Sequence, residues 1–382
     1  MTTRIATYLI LALGAAWAQQ TPATATPGAQ PVQQQTSQQP PTTGAPQAGT
    51  TLDLAQALAR AYAQGTALAN AQTNQQNAQL QLTAAEADPS TLVLQKTQAQ
   101  HTVALDQVTV ESTKLQVLQS VASAYLALYE AQQNVALAQA QLDLADKNLA
   151  VAQAKYQDGN ATALQVAQAR TSQQSARQTL ANAQAKVPTS AAQLATLLGV
   201  TDLGSVTVAP PPDFPQVTVA LSELQNGLLE RLPSVVQAKQ AVDLYSLQVK
   251  LYDNDYTPRM TYQTAKTSLD NAQRTLDTAR QNASTSVANA YQAAKNAYAS
   301  IAIARQNLDN AKQVLAQDQA AYQAGTVAAV QVQSDQVNVA SAQYSLLQAV
   351  DTYRNAVVTL SVSAGRDLTG LVQPASASGG AS

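Results

Sequence analysis

Apolar residues recur along much of this chain at alternating steps of four and three. Val117, Val121, Ala124, Leu128, Ala131, Val135, Ala138, Leu142, Ala145, Leu149, Ala152 and Tyr156 form one such seam without a break. That period marks a helix packed lengthwise against other helices. A helix from near Thr102 to Gln157 is predicted to be roughly 80 Å long at about 1.5 Å per residue. A second seam runs through Val287, Ala290, Ala294, Ala297, Ile301, Ala304, Leu308, Ala311, Leu315 and Tyr322, interrupted only at Asp318. Gly159 and Gly325 follow the last seam residues, where glycine is the usual helix stop. The period resumes at Leu164, Val166 and Ala169, and at Val330, Val332 and Val337. Two long antiparallel helical hairpins with tight tips are therefore predicted. Pro188 falls inside the first returning helix, where it is expected to kink it or end it early.

The two hairpins are copies of one unit. Tyr125 and Tyr291, Leu142 and Leu308, Tyr156 and Tyr322, Gly159 and Gly325, and Gly199 and Gly365 are all separated by 166 residues. Chance similarity between alanine-rich stretches does not hold one register through matched glycines and tyrosines, so the chain carries an internal duplication. The expected organisation is a first helical-hairpin repeat at 51–205, a proline-rich linker at 206–217 and a second repeat at 218–367. Ahead of them, 1–18 has a basic residue, a short apolar run and a small-x-small cleavage signal, as in a secretory signal peptide. A Pro/Gln/Thr-rich leader at 19–50 and a tail at 368–382 lack the apolar content for a packed core and are expected to be disordered.

Composition narrows the chemistry. The chain has 14 tyrosines but one phenylalanine and one tryptophan, so its apolar content is alanine, leucine and valine, suited to close-packed long helices. No cysteine is present, which removes disulfides and thiolate ligands, and a single histidine, His101, builds neither a metal site nor a triad. A net charge of −2 with 12% charged residues offers nothing to a nucleic acid. Asp143, Asp146, Asp309 and Asp318 are scattered along helices with no nucleophile, base or phosphate loop nearby, so the reading is a non-enzyme without cofactor or metal.

The stretches "SAYLALYEAQQNVALAQAQLDLADKNLAVAQAKYQDGNATALQVAQAR" and "NAYQAAKNAYASIAIARQNLDNAKQVLAQDQAAYQAGTVAAVQVQSDQ" share an Ala-Tyr start, an alanine-seamed rod and Tyr-x-x-Gly at the tip. In this the chain resembles the TolC family of outer-membrane efflux proteins over about 52–366. The resemblance implies an all-α dominated fold, a homotrimeric helical tunnel, and export to the cell outer membrane or periplasm. It also implies a passive role in tripartite efflux or type I secretion, beside a periplasmic adaptor and an inner-membrane pump. Gly159, Asn160, Gly325 and Thr326 would then be docking tips, and Tyr156, Gln165, Tyr322 and Gln331 would lie at the tunnel constriction. Family members insert a β-hairpin after a proline in each repeat, and Pro89 and Pro258 stand at about those places. The space there is too short for a spanning hairpin, which needs roughly 20 residues or more. At most short β segments are expected near 89–110 and 258–265, so that this end abuts the outer membrane or an outer-membrane protein. The aspartate pair that follows the second tip in well-known members is absent at its usual places, with Asp335 one position off. The alternative is a non-conducting periplasmic coiled-coil tether or structural envelope protein of the same descent.

Overall fold

A computed structural model describes residues 51–201 and 206–372, and the expected signal peptide and leader lie outside the described residues. The first helices are α1 (Leu54–Gln64), α2 (Thr66–Ala87), α3 (Val93–Gln157) and α4 (Ala163–Leu197). After the linker come α5 (Leu221–Gln225), α6 (Leu228–Arg231), α7 (Pro233–Tyr252), α8 (Arg259–Gln323) and α9 (Ala329–Ala364). Among the described residues no strand forms; a lone parallel bridge joins Leu52 to Val208. The fold is all-α, with two rods, α3 and α8, of 65 residues each. At about 1.5 Å per residue each is roughly 100 Å long.

Each rod is flanked by two shorter helices stacked end to end. Gly199, just past α4, lies against Gln64 at the α1–α2 junction, where a Cβ would sit 3.4 Å from the Gln64 Cβ. Gly365, just past α9, lies against Arg231 before α7, where a Cβ would sit 2.9 Å from the Arg231 Cβ. Both glycines have positive φ, +67° and +61°. They end one helix and let the next begin almost in line, which is the physical reason both copies keep glycine there.

The expected β segments near 89–110 and 258–265 are helical instead. Residues 93–110 are the first turns of α3, because Val103 and Val110 extend the heptad of Val117 backwards by sevens. Val110 is buried against Leu68 and Ala71 of α2. Thr102, Thr109 and Thr113 donate their hydroxyls to carbonyls four residues back, as in a helix. The heptad seam continues through the stretch expected to be β. Likewise 259–265 opens α8, with Ala265 and Ala272 buried seven residues apart.

The early end that Pro188 allowed does not occur: α4 runs through it to Leu197. The carbonyl of Gln184, deprived of its donor, belongs to an exposed residue, as Pro188 itself does, so water can satisfy it. Beyond the proline, Leu194, Ala195 and Leu198 are buried in the main core and hold the last turns in place. Full burial of each leucine contributes about 1.5–3 kcal/mol, enough to offset an interior proline costing about 3 kcal/mol.

The core sits where the rods cross the short helices. Leu54, Leu58, Leu118, Tyr125, Leu128, Leu194 and Val357 form its centre, and a second cluster gathers Leu224, Val235, Val287, Ala294 and Leu360. The proline-rich linker is a strap over this region. Its own Val206, Val208 and Phe214 are buried against the core. The Tyr125 hydroxyl lies between the carbonyls of Leu52 (2.9 Å) and Ala209 (2.7 Å). The Tyr353 hydroxyl donates to Pro215 O at 2.7 Å, and Arg354 reaches Pro211, Pro212 and Asp213. One strap is thus bonded to α3 and to α9. Past α9, Asp367 accepts from Thr369 and Val372, and Leu368, Leu371 and Val372 pack on the core. The start of the expected tail is therefore tied down, and 373–382 lie outside the described residues.

Candidate functional site

The two tips have nearly the same construction. At the first, Gly159 has φ +75°, its N–H donates to Tyr156 O, and Asn160 N–H donates back to Lys155 O at 2.7 Å. At the second, Gly325 has φ +74°, its N–H donates to Tyr322 O, and Thr326 N–H donates to Ala321 O at 2.9 Å. This paired bonding pattern satisfies the last helix carbonyls and requires a residue in the left-handed region. Nothing lies within 4 Å of a Cβ at either glycine, so the backbone alone selects them. The returning helices start differently. Thr162 caps α4 in a reciprocal box with Gln165, whose Oε1 accepts from Thr162 N–H at 2.8 Å. The matching Ala328 offers α9 no side-chain cap.

Both tips lie at one end. Gln119 of α3 donates to Thr359 of α9, and eleven residues further along α3 Glu130 faces Asp351. Numbers rise on α3 as they fall on α9, so the end of α3 and the start of α9 share an extremity. Because α4 begins and α8 ends there, the 158–162 and 324–328 turns are neighbours. Tyr156 and Tyr322 are each half-exposed beside them. Gln165 is exposed and used by its cap, whereas Gln331 donates to Asp335 Oδ1 at 3.3 Å. The structure thus brings all eight sequence-predicted residues to one end.

The opposite end consists of two short turns, 88–92 and 253–258. The Asp88 carboxylate accepts from the Ser90 amide and hydroxyl, which hold its pKa below the usual carboxylate value. The Asn254 side chain accepts from the amides of Tyr256 and Thr257. Such turns close a helical hairpin tightly and leave no residues for a strand pair. Around them Leu92, Val93, Met260 and Tyr256 stand exposed, Tyr256 at 97%. No helix among the described residues is long and apolar enough to cross a membrane.

Side by side, the helices form a strip with open edges. In the tip half the order is α4, α3, α9, α8, and in the other half α2, α3, α7, α8. One edge is α2 and α4, with Leu80, Leu164 and Leu197 exposed, and the other is α8, with Ile303 and Val314 exposed. The exposed apolar side chains along both edges suit contact with further helices.

Sequence reasoning missed the polar interior of the strip. Asp335 is 2% exposed and faces Asp318 across the second hairpin. Burial, first, and then Asp318 raise its pKa. Asp351 is fully buried and paired with Arg354 at 2.6 Å. Burial raises the Glu130 pKa, and the facing Asp351 adds to the effect. The one available signal was the interruption of the second seam at Asp318.

The geometry is an all-α arrangement of paired rods, stacked short helices and two tips at one end. Three solved structures are similar to it at low sequence identity. They are a membrane protein from Pseudomonas aeruginosa (TM-score 0.63, 15% identity, covering 82% of this chain and 90% of that one), the Campylobacter jejuni CmeC outer membrane channel (0.63, 14%, 82% and 85%) and the outer membrane protein VceC from Vibrio cholerae (0.61, 15%, 82% and 96%). No curated protein sequence matches the chain. The family model for outer membrane efflux protein matches residues 92–200 and 205–366. The chain belongs to that family of exported outer-membrane channel proteins, the channel components of tripartite efflux systems.

Proposed function

We propose that three copies of this chain close edge to edge into a twelve-strand helical cylinder that serves as a passive export conduit. The α8 edge of one copy packs on the α2 and α4 edge of the next, a head-to-tail contact that closes a ring when its rotation is right. Gly159, Asn160, Gly325 and Thr326 form the end that receives the periplasmic adaptor and, with it, the inner-membrane pump. Tyr156, Gln165, Tyr322 and Gln331 ring the narrowing above them. The observation that carries this reading is the placement of both tips at one end of a strip with two open edges, which yields six near-equivalent turns per ring.

At the other end, the 88–92 and 253–258 turns and their exposed apolar side chains abut the outer membrane or a protein within it. The same short turns favour a second reading, a periplasmic tether that conducts nothing. Electron microscopy of the purified full chain tests the cylinder: a trimer roughly 100 Å tall is expected, and a monomer overturns the proposal. A gating test uses the absence of native cysteine. With Tyr156→Cys and Tyr322→Cys cross-linked between protomers, a conduit stops exporting and recovers on reduction. A tether leaves export unchanged.

A further inference from the structure

We propose that Asp318 and Asp335 form a proton-operated latch inside the second hairpin: one shared proton keeps α8 and α9 closed above the Gly325 tip, and its loss drives them apart. The two side chains come from facing helices, and Asp335 is almost wholly buried. Gln331 donates to Oδ1 of Asp335 and the Asn338 side chain also bonds this carboxyl, both favouring its charged form, but Oδ2 is buried without a hydrogen-bond partner. A proton held between the carboxyls supplies the missing hydrogen bond; without it, two negative charges face each other, with Asp335 buried and Asp318 partly exposed. Two carboxylates sharing a site cannot both ionise without cost.

The first hairpin provides an internal control. At the 166-residue step, Asp318 corresponds to Ala152 and Asp335 to Ala169. Where one copy packs alanine, the other has placed two acids, and the seam residue at 318 is one of them. Side-chain packing at that level needs no charge, as the first copy demonstrates, so the acid pair gives the second hairpin a property the first lacks.

Few other charges act there. On α8, Tyr322 lies one turn beyond Asp318, and Lys312 lies six residues before it, exposed. From 329 to 350, α9 carries no charged residue besides Asp335. By the register of α3 on α9, the level stretch of α3 carries Asp143, Asp146 and Lys147, and Asp146 is held by Gln173 of α4. Among the described residues no lysine or arginine forms an ion pair with either acid. The Asp335 pKa is raised from 3.8 by burial and then by Asp318. A carboxyl raised in the fold contributes its stability fully below the ordinary value and loses it as pH rises through the folded value. Within that window the opening equilibrium shifts by up to about tenfold per pH unit.

The latch is a property of the hairpin, whether or not the tips gate a tunnel, and the test reads the hairpin directly. Amide hydrogen exchange is measured on the purified full chain at pH 4 and pH 8, each variant being compared with wild type at the same pH so that chemical exchange cancels. Asp335→Asn, which keeps a donor and cannot ionise, is expected to hold protection in 312–340. Relative to it, wild type loses protection in 312–340 at pH 8, while 146–174 is unchanged. A wild-type to Asp335→Asn ratio equal at both pH values overturns the latch. Should that variant fold poorly, Asp318→Ala with Asp335→Ala, which copies the first hairpin, gives the same comparison. The subunit count of the same sample separates failure of the latch from failure of the cylinder.

Discussion

Replacing Arg354 with methionine is the sharpest test of how the strap is held. The guanidinium is 5% exposed and makes four contacts: Asp351 Oδ1 at 2.6 Å, and Pro211 O, Pro212 O and Asp213 Oδ1 each at 2.9 Å. Its Asp213 partner is 95% exposed, so that arm contributes no more than a surface pair. The Asp351 arm is different, because Asp351 is fully buried. Burial raises the Asp351 pKa even with Arg354 beside it. Methionine fills much of the arginine stem's volume but leaves a buried carboxylate without its cation and a buried prolyl carbonyl without its donor. Breaking one side of such a pair costs about 3–5 kcal/mol. Adding Asp351→Asn removes the stranded charge, so the double variant is expected to recover about half of that loss. Asp213→Ala alone is expected to cost under about 1 kcal/mol. Equilibrium urea unfolding followed by far-ultraviolet circular dichroism reads all three through the midpoint at constant slope. A loss below about 1 kcal/mol for Arg354→Met, or one matched by Asp213→Ala, would refute the claim that Asp351 and the buried strap depend on this cation.

Two further outcomes follow from local geometry. Gly325→Ala meets nothing within 4 Å and pays only for φ +74°, about 1–2 kcal/mol, whereas Gly365→Ala adds a Cβ 2.9 Å from Arg231 main-chain oxygen, so its midpoint drops further in the same urea assay. Pro188→Ala restores the donor to Gln184 O in a helix that is already continuous, and is expected to raise stability by up to about 3 kcal/mol with unchanged helix content by circular dichroism.

Much of the architecture was legible in the sequence because period is a one-dimensional property. Heptad steps ending in glycine marked the rods and their tips, and the 166-residue step paired Gly199 with Gly365 before any coordinate placed them at stacked helix junctions. Where local cues were short they misled. Short β segments were expected near 89–110, yet Val103, Val110 and Val117 share a heptad register and one helix face. Pro188 allowed an early end, yet exposure of Gln184 and burial of Leu194 and Leu198 carried the helix across.

The candidate site divides along the same line. Residue type and spacing alone determined the tip turns, since positive φ after a helical seam calls for glycine wherever the chain goes next. Only the tertiary structure settled what lies across from what. Whether a buried acid faces an arginine, as Asp351 does, or another acid, as Asp335 does, depends on the relative rotation and register of two helices. Those are fixed by the packing of side chains distant along the chain, and a carboxylate's neighbour, rather than its own identity, sets its charge and its task.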